Sequence, residues 1–196
     1  MQLKKSNFKV CSDEELMLQI CHGDELAFDE IYLRYGKRLM GYFVRMLNFD
    51  KHIAEDALQD VFLKIAESPE KFDGSRSFKT WIFSVAHNSC KNYYRHQTVV
   101  NNFSEEITYL QDGINESEFL KTASKIDGAH FRKMLDEILS ELPEQKKEAF
   151  ILKYQEEKTI AEIAFIQDCP EGSVKSRLHY TLKILEEKLK LFKPVN

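Results

Sequence analysis

The sequence predicts an all-α protein built from two small helical domains that are joined by an acidic, flexible linker. Glycine and proline are scarce, at 7 and 4 of 196 residues, and apolar side chains recur at helical spacing over most of the chain. Between residues 97 and 130 the periodicity weakens. Six acidic side chains and two lysines in that stretch account for the whole net charge of −4. We therefore predict domains at 11–97 and 129–192, with the linker at 98–128.

Four helices are predicted in the N-terminal domain, each with a recognisable start. Ser12, followed three residues later by Glu15, forms a capping box, and Asp24 and Asp50 are typical N-caps for the second and third helices. Ser77 caps the fourth helix after a Gly-containing loop. The residues expected to close one core include Ala27, Ile31, Leu39, Phe43, Leu58, Phe62, Trp81, Ile82 and Val85.

The C-terminal domain begins with two further helices. Pro143 is predicted at the first helical position of the second of these, where its missing N–H costs nothing. Thr159 and Glu162 then form another capping box before a short apolar helix. A turn at 167–169 follows, and Pro170 begins a longer helix.

This last helix has one apolar and one polar, basic face. A short helix, a tight turn and a longer helix with basic outer residues is the geometry that fits the major groove of DNA. A solvated helical hairpin is the simpler alternative, but it gives no reason for this order of caps, turn and exposed donors. The apolar stripe is Val174, Leu178, Leu182, Leu185 and Leu189. The candidate DNA-contacting residues are Ser173, Lys175, Ser176, Arg177, His179 and Tyr180.

The distribution of charge also favours nucleic acid. Segment 71–96 has five basic side chains against one acidic, and segment 173–196 has six against two. Two separated basic segments can each lie on a phosphate backbone.

Other classes of protein find little support in the sequence. The four cysteines form no C-x-x-C pair, so we expect free thiols, no metal and no cofactor. His87 and Cys90 stand one helical turn apart, but packing and a surface imidazole account for them more simply than a metal site. With no long apolar run and no signal peptide, the expected location is the cytoplasm, without membrane insertion. We find no nucleophile elbow, P-loop or metal motif, so an enzyme is not expected.

The C-terminal motifs resemble the −35-binding domain of extracytoplasmic-function (ECF) sigma factors. That family has "LP" before the first helix of the domain, "EIA" in the next and "GTVKSRL" in the recognition helix. The matching residues here are Leu142-Pro143, Glu162-Ile163-Ala164 and Gly172-Ser173-Val174-Lys175-Ser176-Arg177-Leu178. Asp168 stands where the family usually has glycine in the turn. Asp tolerates left-handed backbone better than most residues, so the turn is expected to form.

The N-terminal domain resembles the other conserved domain of the same family. Residues 55–64 are similar to "EDLVQDVFLRL", a helix that docks on the clamp coiled coil of the largest subunit of core RNA polymerase. The resemblance assigns that contact to Asp56, Gln59 and Asp60, which helical spacing places on one outer face.

Phe72 and residues 77–95, which read SFKTWIFSVAHNSCKNYYR, resemble the family's promoter-melting and −10 segment, "F…FRAWLYRIARNLAIDYLRR". Aromatic rings beside basic residues suit an unpaired strand, because rings stack on bases while lysine and arginine hold phosphates. A flipped base would also need a pocket, which the loop between Phe72 and Phe78 could supply. Asn92 and His96 stand where the family often has Asp and Arg. The assigned residues are Phe72, Arg76, Phe78, Lys79, Asn88, Lys91, Asn92 and Arg95.

The resemblance implies a sigma subunit without catalysis of its own, whose partners are core RNA polymerase and promoter DNA, duplex and single-stranded. Its acidic linker would lie in the polymerase channel, and its flexibility would let an anti-sigma factor capture both domains. A homodimeric helix-turn-helix regulator is the alternative from another class. That alternative predicts a palindromic site and DNA binding without polymerase.

Overall fold

The computed structural model describes residues 8–98 and 128–190, and the regular elements in these ranges are all helical. The all-α prediction is therefore confirmed. The chain divides into two compact units, at residues 1–101 and 102–196. Nearly all of the predicted linker at 98–128, where the sequence also predicts a short helix near 116–126, lies outside the described residues.

Among the described residues 8–98, the first unit has four α-helices, and each begins at a residue that the sequence marks as a cap. Ser12 Oγ accepts from Glu15 N at 3.1 Å while Glu15 returns a bond to Ser12 N. Asp24 and Asp50 accept from the first N–H groups of the next two helices, and Ser77 Oγ accepts from Thr80 N at 3.3 Å. The helices are α1 (Asp13–Cys21), α2 (Glu25–Met46), α3 (Lys51–Glu67) and α4 (Phe78–Thr98). Short 3₁₀ turns lie at Phe8–Val10 and Pro69–Lys71.

The core of this unit is rich in aromatic rings that pack edge to face. Tyr42 contacts Phe43 and Phe83 at centroid distances of 5.5 and 5.6 Å. All three side chains are almost fully buried. Such pairs add about 0.5–1.5 kcal/mol each beyond the area that they bury. This core holds α2 and α4 at fixed positions, and the outer face of α4 carries part of the candidate site.

One arginine joins the N-terminal segment to the bundle. Arg34 of α2 donates to the carbonyls of Phe8 and Cys11, at 2.7 and 2.9 Å, and to Asp13 Oδ1 at 2.7 Å. The Tyr35 hydroxyl donates to the other oxygen of Asp13. Burial and this hydrogen bond raise the pKa of Tyr35 well above its usual value. Helix α1 is therefore fixed in place by charge-assisted bonds as well as by packing.

Within residues 128–190 the second unit has four helices: α5 (Gly128–Ser140), α6 (Glu144–Tyr154), α7 (Ile160–Ile166) and α8 (Glu171–Lys190). Its apolar core joins α5, the middle of α6 and the C-terminal half of α8. The predicted apolar stripe of α8 is confirmed, since all five of its members are buried.

One boundary prediction was wrong by a residue. Pro143 is the N-cap of α6 rather than its first helical residue, with ψ 141°. Its carbonyl accepts from Lys146 N and Lys147 N, both at 3.0 Å. Because proline fixes φ and not ψ, it can stand on either side of a helix start.

Candidate nucleic-acid interface

The acidic residues of α3 lie on the side of the helix that faces solvent. Asp56, Gln59 and Asp60 are all exposed, whereas Leu58 and Phe62 of the same helix are buried. Neither carboxylate forms an ion pair within the described residues. The helix therefore offers two uncompensated negative charges one turn apart, which is a surface that a basic partner can bind.

Three aromatic rings cluster where the loop at 72–77 meets α4. Phe72 contacts Phe78 and Trp81 at centroid distances of 5.5 Å, and Phe78 lies 5.6 Å from Trp81. Phe72 and Trp81 are partly exposed. Phe78 is fully buried and also packs on Tyr35 at 5.3 Å.

The burial of Phe78 changes its expected part in the site. The resemblance assigned Phe78 to direct contact with the −10 element of the promoter. A fully buried ring, however, has no free face for a base to stack on. Alternation of aromatic and basic residues cannot show which ring points inward. In this structure Phe78 supports the two partly exposed rings, Phe72 and Trp81.

The loop between Phe72 and Ser77 is shaped by local hydrogen bonds. Asp73 Oδ1 accepts from Ser75 N at 2.8 Å, and this bond lowers the pKa of Asp73 below its usual value. Gly74 adopts φ +71°, a left-handed conformation that glycine adopts without strain. Arg76, two residues before Phe78 in the sequence, is exposed.

The outer face of α4 continues this surface towards its C-terminus. Asn88, Lys91, Asn92 and Arg95 are exposed and recur at spacings of three and four residues, so they share one face. Lys79, near the start of the helix, is half-buried. A row of amides and cations of this kind can contact base edges and phosphates.

Helix α4 has a second cap that the sequence did not reveal. The Phe78 N–H donates to Glu14 Oε1 of α1 at 2.9 Å, across 64 residues of sequence. No local pattern can report such a pairing. The bond connects α1 to the start of the helix that carries the aromatic cluster.

Replacing Glu14 with alanine should lower the free energy of unfolding of the first unit by about 1 kcal/mol, because the capping acceptor is lost. Glu14→Gln keeps a carbonyl oxygen and is the matched control, which should recover most of the loss. Chemical denaturation followed by the fluorescence of Trp81 measures both variants. Equal stability of the alanine variant and the unchanged protein would show that this cap contributes nothing.

The second unit forms a helix-turn-helix from α7 and α8. Thr159 and Glu162 make the predicted capping box, with Thr159 Oγ1 accepting from Glu162 N at 3.2 Å. Asp168 adopts φ +48° in the turn, as its tolerance of left-handed backbone predicts. The turn closes through a 3.0 Å bond from Cys169 N to Ala164 O, and α8 begins two residues later.

Most of the predicted contact residues of α8 lie on its accessible side. Lys175 is exposed, and Ser173, Ser176, His179 and Tyr180 are half-buried. The Tyr180 ring packs edge to face against His179, with ring centroids 5.8 Å apart, and lies 5.5 Å from Lys146 Nζ, which is a cation–π distance.

Arg177 is placed differently from its neighbours. Its guanidinium donates to Gln167 Oε1 at 2.8 Å, to Gln145 Oε1 at 2.6 Å and to Cys169 Sγ at 3.1 Å. Partial burial raises the pKa of the Cys169 thiol, which the nearby guanidinium opposes. Cys169 is thus a hydrogen-bonded residue of the turn.

Within residues 8–98 and 128–190, no group of three or more His, Cys, Asp or Glu side chains is placed to hold a metal ion. Cys90 is buried and His87 is partly exposed, in line with the packing interpretation. None of the helices in these ranges is long and apolar enough to cross a membrane.

A helix-turn-helix in one unit and an aromatic, basic helix in the other define a bipartite DNA-binding protein. The family profile described as "Sigma-70 region 2" matches residues 31–99, and "Sigma-70, region 4" matches residues 132–185. Together they cover more than half of the chain. The chain belongs to the ECF subfamily of the sigma-70 family of bacterial RNA polymerase sigma factors.

Curated relatives are similar over nearly their whole length. The ECF RNA polymerase sigma-E factor of Haemophilus influenzae is 26% identical over 182 residues, which span 91% of this chain and 95% of the relative. The RNA polymerase sigma-H factor of Pseudomonas aeruginosa is 26% identical over 185 residues, covering 90% and 93%.

Solved structures share the fold at lower identity. CnrH, in complex with the cytosolic domain of CnrY, aligns with a TM-score of 0.65 at 19% identity, covering 92% of this chain and 99% of that one. The sigma factor RpoE of Bartonella quintana, in complex with the anti-sigma factor NepR, aligns with a TM-score of 0.61 at 21% identity. That alignment covers 85% of this chain and 98% of the other.

Proposed function

We propose that this alternative sigma factor binds core RNA polymerase through α3 and reads a two-part promoter through α4 and α8. The observation that carries the proposal is the presence of three solvent-facing surfaces of suitable chemistry: an acidic face on α3, an aromatic and basic surface on α4, and a polar face on α8. The two domains are 11–97 and 129–192, joined by the acidic linker at 98–128. The protein acts in the cytoplasm as an initiation factor and has no catalytic role of its own.

Recognition of the −35 element is assigned to Ser173, Lys175, Ser176, His179 and Tyr180. Side chains near the N-terminal end of a recognition helix contact base edges in the major groove. Lysine suits guanine O6 and N7, and serine can bond to several bases. The exposed Lys175 is the strongest candidate for a base or phosphate contact.

Recognition and opening of the −10 element are assigned to the surface formed by the loop at 72–77 and α4. Phe72 offers a ring to an unpaired base, Arg76 and Lys91 hold phosphates, and Asn88 and Asn92 reach base edges. Lys79 and Arg95 add positive charge at the two ends of this surface.

An anti-sigma factor is a further partner that we propose. The sigma factor RpoE was solved in complex with the anti-sigma factor NepR, and CnrH, which shares the fold, was solved in complex with the cytosolic domain of CnrY. The exposed apolar residues Leu26, Leu33 and Leu63 on α2 and α3 offer contacts for such a partner.

Mapping the 5′ ends of transcripts made on genomic DNA by core polymerase, with and without the protein, tests the proposed function. We expect new start sites that share two upstream elements and depend on the added protein. Footprinting of the protein alone is the control. Protection of a palindrome without polymerase, and no new transcripts with it, would instead support a homodimeric regulator.

Substitution of Lys175 or His179 by alanine should change −35 preference at one or two base pairs, because a good base contact contributes about 1–3 kcal/mol of discrimination. Lys183→Ala, which removes an exposed lysine two turns further along α8, is the matched control and should leave the preference unchanged. Selection from a library randomised across the −35 element measures all three variants. An unaltered preference after both substitutions would contradict the assignment.

A further inference from the structure

Arg177 stands in the N-terminal half of the recognition helix, but its guanidinium points towards other parts of its own unit. It reaches Gln145 on α6, Gln167 at the end of α7 and Cys169 in the turn. These three acceptors come from two other helices and from the turn between α7 and α8. Arginine has five N–H groups in one planar guanidinium. Because both terminal nitrogens of Arg177 already donate to these acceptors, few N–H groups remain for DNA.

The partners of Gln167 fix the direction of this network. Gln167 Nε2 donates to Glu148 Oε2 at 2.8 Å and to the Gln145 carbonyl at 3.0 Å. Both of these are acceptors, so the amide oxygen of Gln167 must face Arg177. Glu148 and Gln167 are almost fully buried, and buried networks of this kind hold one geometry when every member has a partner.

A second bond joins the same helices one turn further along. The buried hydroxyl of Thr181 lies 2.9 Å from the Arg177 carbonyl and 3.4 Å from the Lys146 carbonyl of α6. Arg177 and Thr181 therefore connect successive turns of α8 to successive residues of α6. Rotation of α8 about its axis would break both connections.

We propose that Arg177 is a positioning residue for −35 recognition, which sets the rotation and depth of α8 in the major groove without contacting DNA itself. This inference rests on the proposed role of α8. It separates Arg177 from Lys175 and His179, whose side chains lie on the accessible side of the helix. The proposal predicts that affinity for the −35 element depends on the planar shape of the Arg177 guanidinium and not on its positive charge.

The test measures binding of the holoenzyme to a duplex that carries the −35 element, over a series of salt concentrations. Arg177→Lys keeps the charge but cannot bridge Gln145 and Gln167, so we expect about a tenfold loss of affinity. The Arg177→Gln variant should show about the same loss of affinity. Neither variant should change the slope of log affinity against log salt, whereas loss of one phosphate contact reduces that slope by about 0.9.

The specificity profile provides a second readout. A misplaced helix should weaken preference at several −35 positions together, whereas loss of a base contact relaxes one position. Gln145→Ala removes a single acceptor and leaves the buried Gln167–Glu148 pair intact. This variant should cause a smaller loss of affinity and should weaken preference at the same several −35 positions. Combined with Arg177→Lys, it should cause no further loss of affinity. Thermal unfolding, followed by circular dichroism, confirms that each variant is folded at the temperature of the assay.

Lys175→Gln distinguishes failure of this inference from failure of the proposed function. If that variant and both Arg177 variants leave binding unchanged, α8 does not read the −35 element. If Lys175→Gln weakens binding while Arg177→Lys retains full affinity, or Arg177→Gln reduces the salt slope, Arg177 contacts DNA and the positioning role is wrong. An Arg177→Lys profile that is relaxed at one base pair alone would also overturn it.

Discussion

Replacing both Asp56 and Asp60 with lysine should weaken binding to core RNA polymerase by at least about 100-fold. Both carboxylates are exposed on one face of α3 and form no ion pair within the described residues. They are therefore available to a basic partner surface. Placing like charges opposite each other at an interface costs several kcal/mol, and two reversals are combined here. Fluorescence anisotropy of the labelled protein with core enzyme measures the change.

The helix itself should tolerate this double substitution. The change replaces one like-charged pair at i and i+4 by another and sets a second lysine one turn before Lys64, so the stability of α3 should fall by only about 0.4–1 kcal/mol. Glu25→Lys together with Asp29→Lys is the matched control, since these exposed residues of α2 have the same spacing and give the same change in net charge. If the two double variants lose equal affinity for core polymerase, the effect comes from net charge, and α3 has no specific role in binding.

Local signals in the sequence predicted the helix boundaries well because their physical causes are local. The capping boxes at Ser12 and Thr159 and the N-cap at Asp50 each involve residues within one turn of the helix start. The left-handed residue Asp168 was anticipated for the same reason. Pro143 was misplaced by one residue because the ring restrains only one of the two backbone angles that define a helix start.

The candidate site was predicted less completely, since its details depend on contacts between distant residues. Glu14 and Phe78 are 64 positions apart, and Arg177 and Gln145 are 32 apart. Helical spacing gives the face on which a residue lies. It does not give the side chains of the neighbouring helix that this residue contacts. Spacing therefore found the polar face of α8 and could not show that Arg177 turns back to its own unit.

The aromatic cluster gives the second large expected effect. Phe72→Ala should slow promoter opening about 10- to 100-fold, because stacking of one base on a ring contributes about 1–3 kcal/mol. Phe72 is the partly exposed ring at the edge of the cluster, and it packs on Phe78 and Trp81 at 5.5 Å. The fluorescence of 2-aminopurine placed in the −10 element of a duplex promoter follows opening directly.

Two controls separate stacking from packing at Phe72. Phe72→Leu keeps apolar contact with Phe78 and Trp81 but removes the flat face, so it should be nearly as slow as the alanine variant while remaining as stable as the unchanged protein. A promoter with a mismatched, already open −10 region should recover part of the rate, since melting no longer limits it. Normal opening by the leucine variant would show that Phe72 acts only by supporting Trp81, and the base-stacking surface would then have to be the indole ring.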